Sequence, residues 1–235
     1  MASEIRAGAS GFSYKEWLGG FYPAKLAGAK MLEFYSARLA TVEINYTFRA
    51  MPRRAMLTGW AEKTPPNFRF ALKAPQRITH FARLRGSRET LDYFIEVAGA
   101  LGEKLGPVLF QLPPDLSRDD ALLDDFIAQV GGRVRAAFEF RHPSWFDEEV
   151  LALLRRRQVA LCVAESDKLS SPVASTAPYA YLRLRKESYD DAAMAAWAEK
   201  IRGLTVGARE AYIYFKHEAA APELAAKMQL LLATV

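Results

Sequence analysis

The sequence predicts a single (β/α)8 barrel. Three observations carry that expectation. Eight short apolar segments recur along the chain, at 5–10, 42–47, 68–73, 108–113, 136–141, 159–165, 179–185 and 212–216. Helix-like stretches fill the intervals between them, and no composition break or linker divides the chain. A regular alternation of strand and helix signals implies a parallel sheet with helical crossovers, and eight repeats suffice to close it. A length of 235 residues suits one such domain.

The elements follow in order. Pro52 suits a first helical turn after the second strand, because proline lacks the amide that a first turn leaves unbonded. Leu91, Phe94, Ile95, Ala98 and Leu101 form one helical stripe before Gly102. Leu122, Leu123, Phe126 and Val130 form another, stopped by Gly131-Gly132. Ser144 is placed to cap a helix from Trp145, with Asp147, Glu148 and Glu149 near its positive end and Val150, Leu151 and Leu154 on its apolar face. Arg155-Arg156-Arg157 then complements the dipole at its other end. The interval after the sixth strand, 166–177, is short and carries Pro172, so its helix is the weakest. Ser188 is placed to cap a further helix, with Met194, Trp197 and Ile201 on one face, and Pro222 suits the start of the last.

Side chains alternate between the two faces of a strand, so parity sorts them into helix-facing and lumen-facing sets. Val42, Ile44 and Tyr46 share one parity, as do Phe70 and Leu72, Phe138 and Phe140, Leu182 and Leu184, and Ile213 and Phe215. These are expected to pack under helices. The other parity collects Arg6, Gly8 and Ser10; Glu43, Asn45 and Thr47; Lys73; Gln111; Glu139 and Arg141; Tyr181, Arg183 and Arg185; and Tyr212, Tyr214 and Lys216. Barrel lumens are normally filled with branched aliphatic residues, and a buried charge is costly unless paired. Six cations in this set face two carboxylates, Glu43 and Glu139. An internal salt-bridge network explains part of the set. The surplus positive charge predicts a small anionic ligand, a phosphate, sulfate or carboxylate, at the strand ends where barrel sites lie.

Within that reading Lys73, Arg141, Arg183, Asn45, Gln111 and Lys216 are expected to bind the ligand, and Glu43 and Glu139 to form an acid/base pair. His80 and His142 follow strands in the correct loops and are expected to assist, although His142 is also placed to cap the next helix; His217 reads as a surface residue. Among the rim aromatics Phe12, Tyr14, Trp17, Phe21, Tyr22, Phe48, Phe81 and Trp145, most are expected to pack loops over the barrel, with Tyr14 and Trp17 as ligand contacts.

Composition narrows the setting. One cysteine, Cys162, leaves no internal disulfide framework, and three histidines are too few for a multi-zinc cluster, so no metal is expected. No P-loop, nucleophile elbow or dinucleotide fingerprint is present, so no cofactor is expected. The opening residues lack a signal-peptide pattern and no apolar run spans a bilayer, so a cytoplasmic protein without membrane contact is expected. A net charge of +5 keeps nucleic acid as a second class of partner. A third reading is a non-catalytic ligand sensor. The oligomeric state is not written in the sequence.

The segments ASGFSYKEWLGGFYP, TVEINYTF, FALKAPQRITH, VLFQLPP and FEFRHPSW, in colinear order, resemble the DUF72 (YecE-like) family. The resemblance implies a TIM-like barrel and no particular activity. The family motifs carry over to Gly11, Tyr14, Trp17, Glu43, Asn45, Thr47, Lys73, Thr79, His80, Gln111, Glu139, Arg141, His142, Trp145 and Arg183. Three positions depart from the family pattern. Arg185-Lys186 replaces a His-Gly pair, Lys216-His217 replaces asparagine-rich residues, and Glu165 stands where Asp is usual.

Overall fold

A computed structural model describes residues 4–166, 170–216 and 219–233. His217 lies outside the described residues. Eight parallel strands form the barrel: β1 (Glu4–Ala9), β2 (Thr41–Ile44), β3 (Arg69–Lys73), β4 (Leu105–Gln111), β5 (Ala136–Glu139), β6 (Ala160–Glu165), β7 (Tyr179–Leu184) and β8 (Glu210–Phe215). Around them run α1 (Met31–Ser36), α2 (Tyr46–Arg49), α3 (Arg54–Glu62), α4 (Arg88–Ala98), α5 (Asp120–Val130), α6 (Glu148–Arg157), α7 (Asp191–Thr205) and α8 (Ala221–Ala233). No helix lies between β6 and β7 among the described residues; Ser170 instead bridges back to Glu165. No helix is long and apolar enough to cross a membrane among the described residues.

Hydrogen-bonded ladders run in the order β1-β8-β7-β6-β5-β4-β3-β2. A tyrosine joins the two ends. The buried Tyr35 hydroxyl from α1 accepts from the Ala9 amide at 2.8 Å and donates to the Thr41 carbonyl at 2.9 Å, supplying across the β1–β2 seam the hydrogen bonds that a ladder supplies elsewhere. Gly8 permits the approach, since a Cβ there would lie 2.0 Å from the Thr41 oxygen.

Strand parity holds through the barrel. Phe70, Leu72, Phe138, Phe140, Leu182, Leu184, Ile213 and Phe215 belong to the outer core, under the helices. A separate lumen cluster contains Ala71, Ala137, Ala160 and Cys162 from β3, β5 and β6, opposed by Tyr179, Tyr181, Tyr212 and Tyr214 from β7 and β8. Small residues on one side leave room for four tyrosines from the other, so the lumen is packed solid at mid-height.

Several local expectations change. The chain leaves β2 at Ile44 and turns into α2, so Tyr46 is exposed (53%) rather than under helices. Thr47 is buried but helical; its hydroxyl donates to the Ile44 and Lys73 carbonyls. Pro52 precedes α3 rather than opening it. The helix expected from Trp145 begins at Glu148, capped by Asp147, whose carboxylate accepts the Glu149 amide. Pro143–Trp145 forms a separate 3-10 turn. Asp190, not Ser188, caps α7 by accepting the Ala193 amide. In both helices an aspartate nearer the first turn supplies the oxygen.

Candidate functional site

Charged lumen residues fall into two groups at opposite ends of the barrel. Near the N-terminal end, Arg6 pairs with Glu4 and lies 3.7 Å from Glu210, while Arg135 pairs with Glu210 at 2.5 Å. Both guanidinium groups also lie over the Tyr212 ring, at 5.6 and 5.5 Å. Arg6 therefore belongs to a balanced cluster of two cations and two carboxylates, away from the strand ends that carry barrel chemistry.

At the C-terminal end, Arg183 is the centre. It is buried, and its two terminal nitrogens reach Glu139 Oε2 at 2.5 Å and Glu43 Oε1 at 2.8 Å. Glu43 Oε1 also accepts from Ser10 Oγ at 2.9 Å and Asn45 Nδ2 at 3.1 Å, and Oε2 accepts from the Tyr181 hydroxyl at 2.7 Å. Burial alone would raise both carboxylic pKa values. Arg183, Arg185 and the Tyr181 hydroxyl together outweigh it for Glu43, and Arg183 with Arg141 lowers Glu139 to about 2. Both groups are therefore ionised. Glu43 is saturated with donors, whereas Glu139 Oε1 is ion-paired to Arg141 but has no hydrogen bond of good geometry among the described residues.

Lys73 ends β3. It is 8% exposed, and its Nζ donates to Gln111 Oε1 at 2.7 Å and sits 3.9 Å from the centre of the Phe48 ring. No carboxylate lies within 4.0 Å of it among the described residues. Burial and then Arg183 bring its pKa down to about 8, against the pull of Glu139 and Glu43. His80 lies on the other contact of Phe48, edge-on at 4.9 Å, with Nδ1 2.9 Å from Thr79 Oγ1. Burial and the Lys73 charge lower its pKa, so it is neutral at pH 7.

Arg185 follows β7. Burial, and next the Arg183 charge, lower its pKa, and one buried terminal nitrogen has no hydrogen-bond partner among the described residues. Arg183 Nε and Arg141 Nε are in the same condition. Four cations, Lys73, Arg141, Arg183 and Arg185, thus surround two carboxylates.

Of the other expected residues, Asn45 and Gln111 lie in the site and hold Glu43 and Lys73. Tyr14 donates to the Ser10 carbonyl at 2.7 Å and lines an adjoining cleft of about 370 Å³ with Phe12, Asn45, Tyr46, Met56 and Trp60. Lys216 is half-buried just beyond β8. Trp17 is not available to a ligand: it is 1% exposed, enclosed by Tyr14, Phe21, Tyr22 and Tyr35. Its indole is the largest apolar group of that loop, so burial takes it inward. His142 takes its structural option, with Nδ1 2.7 Å from Ser144 Oγ and 3.2 Å from the Ser144 amide. Tyr181, Ser10, Phe48 and Arg185 complete the site. Parity marks all but Phe48 as lumen-facing, and nothing in the sequence distinguishes their roles. No three metal-ligating side chains come together among the described residues.

A family model described as "Protein of unknown function DUF72" matches residues 6–235. The chain is 32% identical over 120 residues to the UPF0759 protein YecE of Escherichia coli K12, and 31% identical over 146 residues to the UPF0759 protein YunF of Bacillus subtilis 168. Those matches cover 51% and 57% of this chain and 44% and 52% of the relatives, so the similarity spans about half their length. A DUF72 family protein of Thermotoga maritima MSB8 superposes with a TM-score of 0.85 at 26% identity, covering 98% of this chain and 99% of that one. One from Enterococcus faecalis V583 shares the fold, at a TM-score of 0.81 and 20% identity, over 100% and 99% of the two chains. With residues 6–235 matched by the family model and the whole barrel superposing, the chain belongs to the DUF72 family.

Proposed function

We propose that the protein is an enzyme acting on a small anion, phosphate- or carboxylate-bearing, bound over the C-terminal ends of β3, β5 and β7. One observation carries the reading: at this end Lys73, Arg141, Arg183 and Arg185 face two carboxylates, and N–H groups of the three arginines have no hydrogen-bond partner among the described residues. A buried donor without an acceptor is costly, and such donors beside a surplus of cations fit the oxygens of an anion. The charge balance agrees, because four cations and two carboxylates leave room for a negative ligand.

In this reading Arg185 and Arg141 hold the anion, and Arg183 is fixed by Glu43 and Glu139. The two carboxylates then act chiefly as positioning groups. Their lowered pKa values leave them ionised and weakly basic, with no proton to donate, and Glu43 has no oxygen free of donors. Glu139 Oε1 is itself ion-paired to Arg141, so this carboxylate also acts by holding an arginine. Lys73 and His80 carry the proton traffic, since both lose their charge more easily than their free side chains do. The cleft beside Tyr14 and Asn45 takes the uncharged part of the substrate.

Thermal shift at low salt tests this with inorganic phosphate, sulfate and a panel of carboxylates. A ligand selective for the folded state raises the melting temperature. The expected result is a saturable rise for at least one anion that R185Q abolishes. An equal rise in R185Q, or none from any anion, overturns the reading.

A second reading is a nucleic-acid partner on the same rim. Tyr46 (53% exposed) and Phe81 (72% exposed) stand on it, and exposed aromatics beside cations suit base stacking. Oligonucleotide affinity falling with salt at a log–log slope of several units would favour it; a small anion gives a shallower dependence.

A further inference from the structure

We propose that Lys73 is a covalent nucleophile, condensing through Nζ with the carbonyl carbon of an aldehyde or ketone whose anionic group sits on Arg185 and Arg141. The inference rests on the anion reading above and adds the chemical class of the substrate and the bond that forms.

The geometry around Nζ supports it. A lysine buried for structural reasons is expected to be neutralised by a carboxylate. Lys73 has none within ion-pair distance among the described residues, and its partners are a neutral amide oxygen and a ring face. The charged groups on surrounding strands act in opposition: Arg183 and Arg185 on β7 and just beyond it disfavour the ammonium, while Glu139 on β5 and Glu43 on β2 favour it, and both carboxylates are already committed to arginines. The amine is also held in place. The Thr47 hydroxyl donates to the Lys73 carbonyl at 2.7 Å, and Gln111 fixes the other end of the side chain. A desolvated lysine next to other cations is an amine available for attack near neutral pH. Its pKa near 8 agrees with that placement.

The step balances without a further reactant. The Nζ lone pair attacks the carbonyl carbon, and the carbonyl π electrons move to oxygen. A proton passes from nitrogen to that oxygen, giving a carbinolamine. Protonation and departure of the hydroxyl as water break the C–O bond, and the C=N bond of an imine forms. No atom is oxidised or reduced. His80, which shares the Phe48 ring with Lys73, is the nearby neutral imidazole able to shuttle the proton.

Pyridoxal 5′-phosphate serves as the probe, being an aldehyde that carries a phosphate, with pyridoxal as its uncharged counterpart. The full chain is incubated with each, reduced with sodium cyanoborohydride and mapped by peptide mass spectrometry. The expected result is preferential labelling of Lys73 by the phosphorylated aldehyde, at least tenfold faster than at exposed lysines and slowed by inorganic phosphate. K73R should keep a cooperative melt and lose the label. Labelling spread over surface lysines, with Lys73 no faster, overturns the nucleophile; if phosphate still raises the melting temperature in that case, the anion site survives alone. Rapid labelling of Lys73 by both aldehydes, with no protection by phosphate, overturns the anion requirement instead.

Discussion

The two ends of the lumen are built from the same residue types and reach different electrostatic outcomes. At the N-terminal end, Arg6 and Arg135 meet Glu4 and Glu210, with Tyr212 beneath both cations. At the C-terminal end, four cations meet only Glu43 and Glu139, and Lys73 and Arg185 have no carboxylate within ion-pair distance among the described residues. Arg6 also has guanidinium nitrogens without hydrogen bonds, so unbonded donors alone do not separate the ends. Charge does. A balanced cluster closes a barrel, whereas a surplus of buried cations destabilises the protein unless something else balances it. Strand ends hold the surplus, and in barrels that is the face where chemistry is done.

The comparison can be broken by substitution. The largest effect is expected from R183A, which leaves two fully buried carboxylates without their shared cation; urea unfolding should lose about 3–5 kcal/mol. A loss below about 1 kcal/mol would show that Arg183 is not the centre of the upper cluster. R135A at the other end should cost less, about 1–2 kcal/mol, because Glu210 is partly exposed and keeps Arg6 nearby. It should also leave any phosphate-induced thermal shift intact, and a lost shift would mean that the two ends are not independent.

Acid sharpens the contrast. The folded-state pKa of Glu139 is depressed to about 2, and that of Glu43 is lowered too. The stability they contribute is present above the ordinary carboxylate range and is lost as pH falls through it toward 2. Unfolding free energy should therefore decline between about pH 5 and pH 2, and E139Q should flatten part of that decline. An unchanged slope in E139Q would place the acid sensitivity elsewhere.

Lys73 has the same direction of pH dependence but, unlike the carboxylates, its charged form opposes folding, and its effect is the smallest. Its folded pKa lies below its unfolded one, so the unfolded chain binds more protons between about pH 8 and the ordinary lysine range, and stability rises with pH across that window. K73M should remove this rise and stabilise the protein at pH 7 by roughly 1 kcal/mol, offset in part by an unpartnered Gln111. Destabilisation by K73M would mean that the lysine is a structural residue.

Parity in the sequence was enough to separate Phe138 from Glu139 and Leu182 from Arg183, because alternation follows from the stereochemistry of a single extended strand. It failed where extension stops. Tyr46 and Thr47 lie past the end of β2 in a helix, so alternation no longer governs them. It was also silent on depth. Arg6 and Arg183 share a lumen-facing parity, yet one lies in the first half of its strand and the other near the end of its own, and they serve opposite clusters. Trp17 reads as a rim contact until the loop folds it against Tyr35.

The sequence by itself therefore determined the strand–helix alternation, the two faces of each strand and the polar character of the lumen, since these depend on local backbone geometry and apolar burial. Tertiary structure alone decided which charges meet. Glu43 and Arg183 are 140 positions apart and become partners only when the sheet closes. That closure runs through the Tyr35 hydroxyl and the bare backbone of Gly8, and it gathers the upper cations around fewer carboxylates than they require. Pairing depends on distance in the closed barrel, which no local rule encodes.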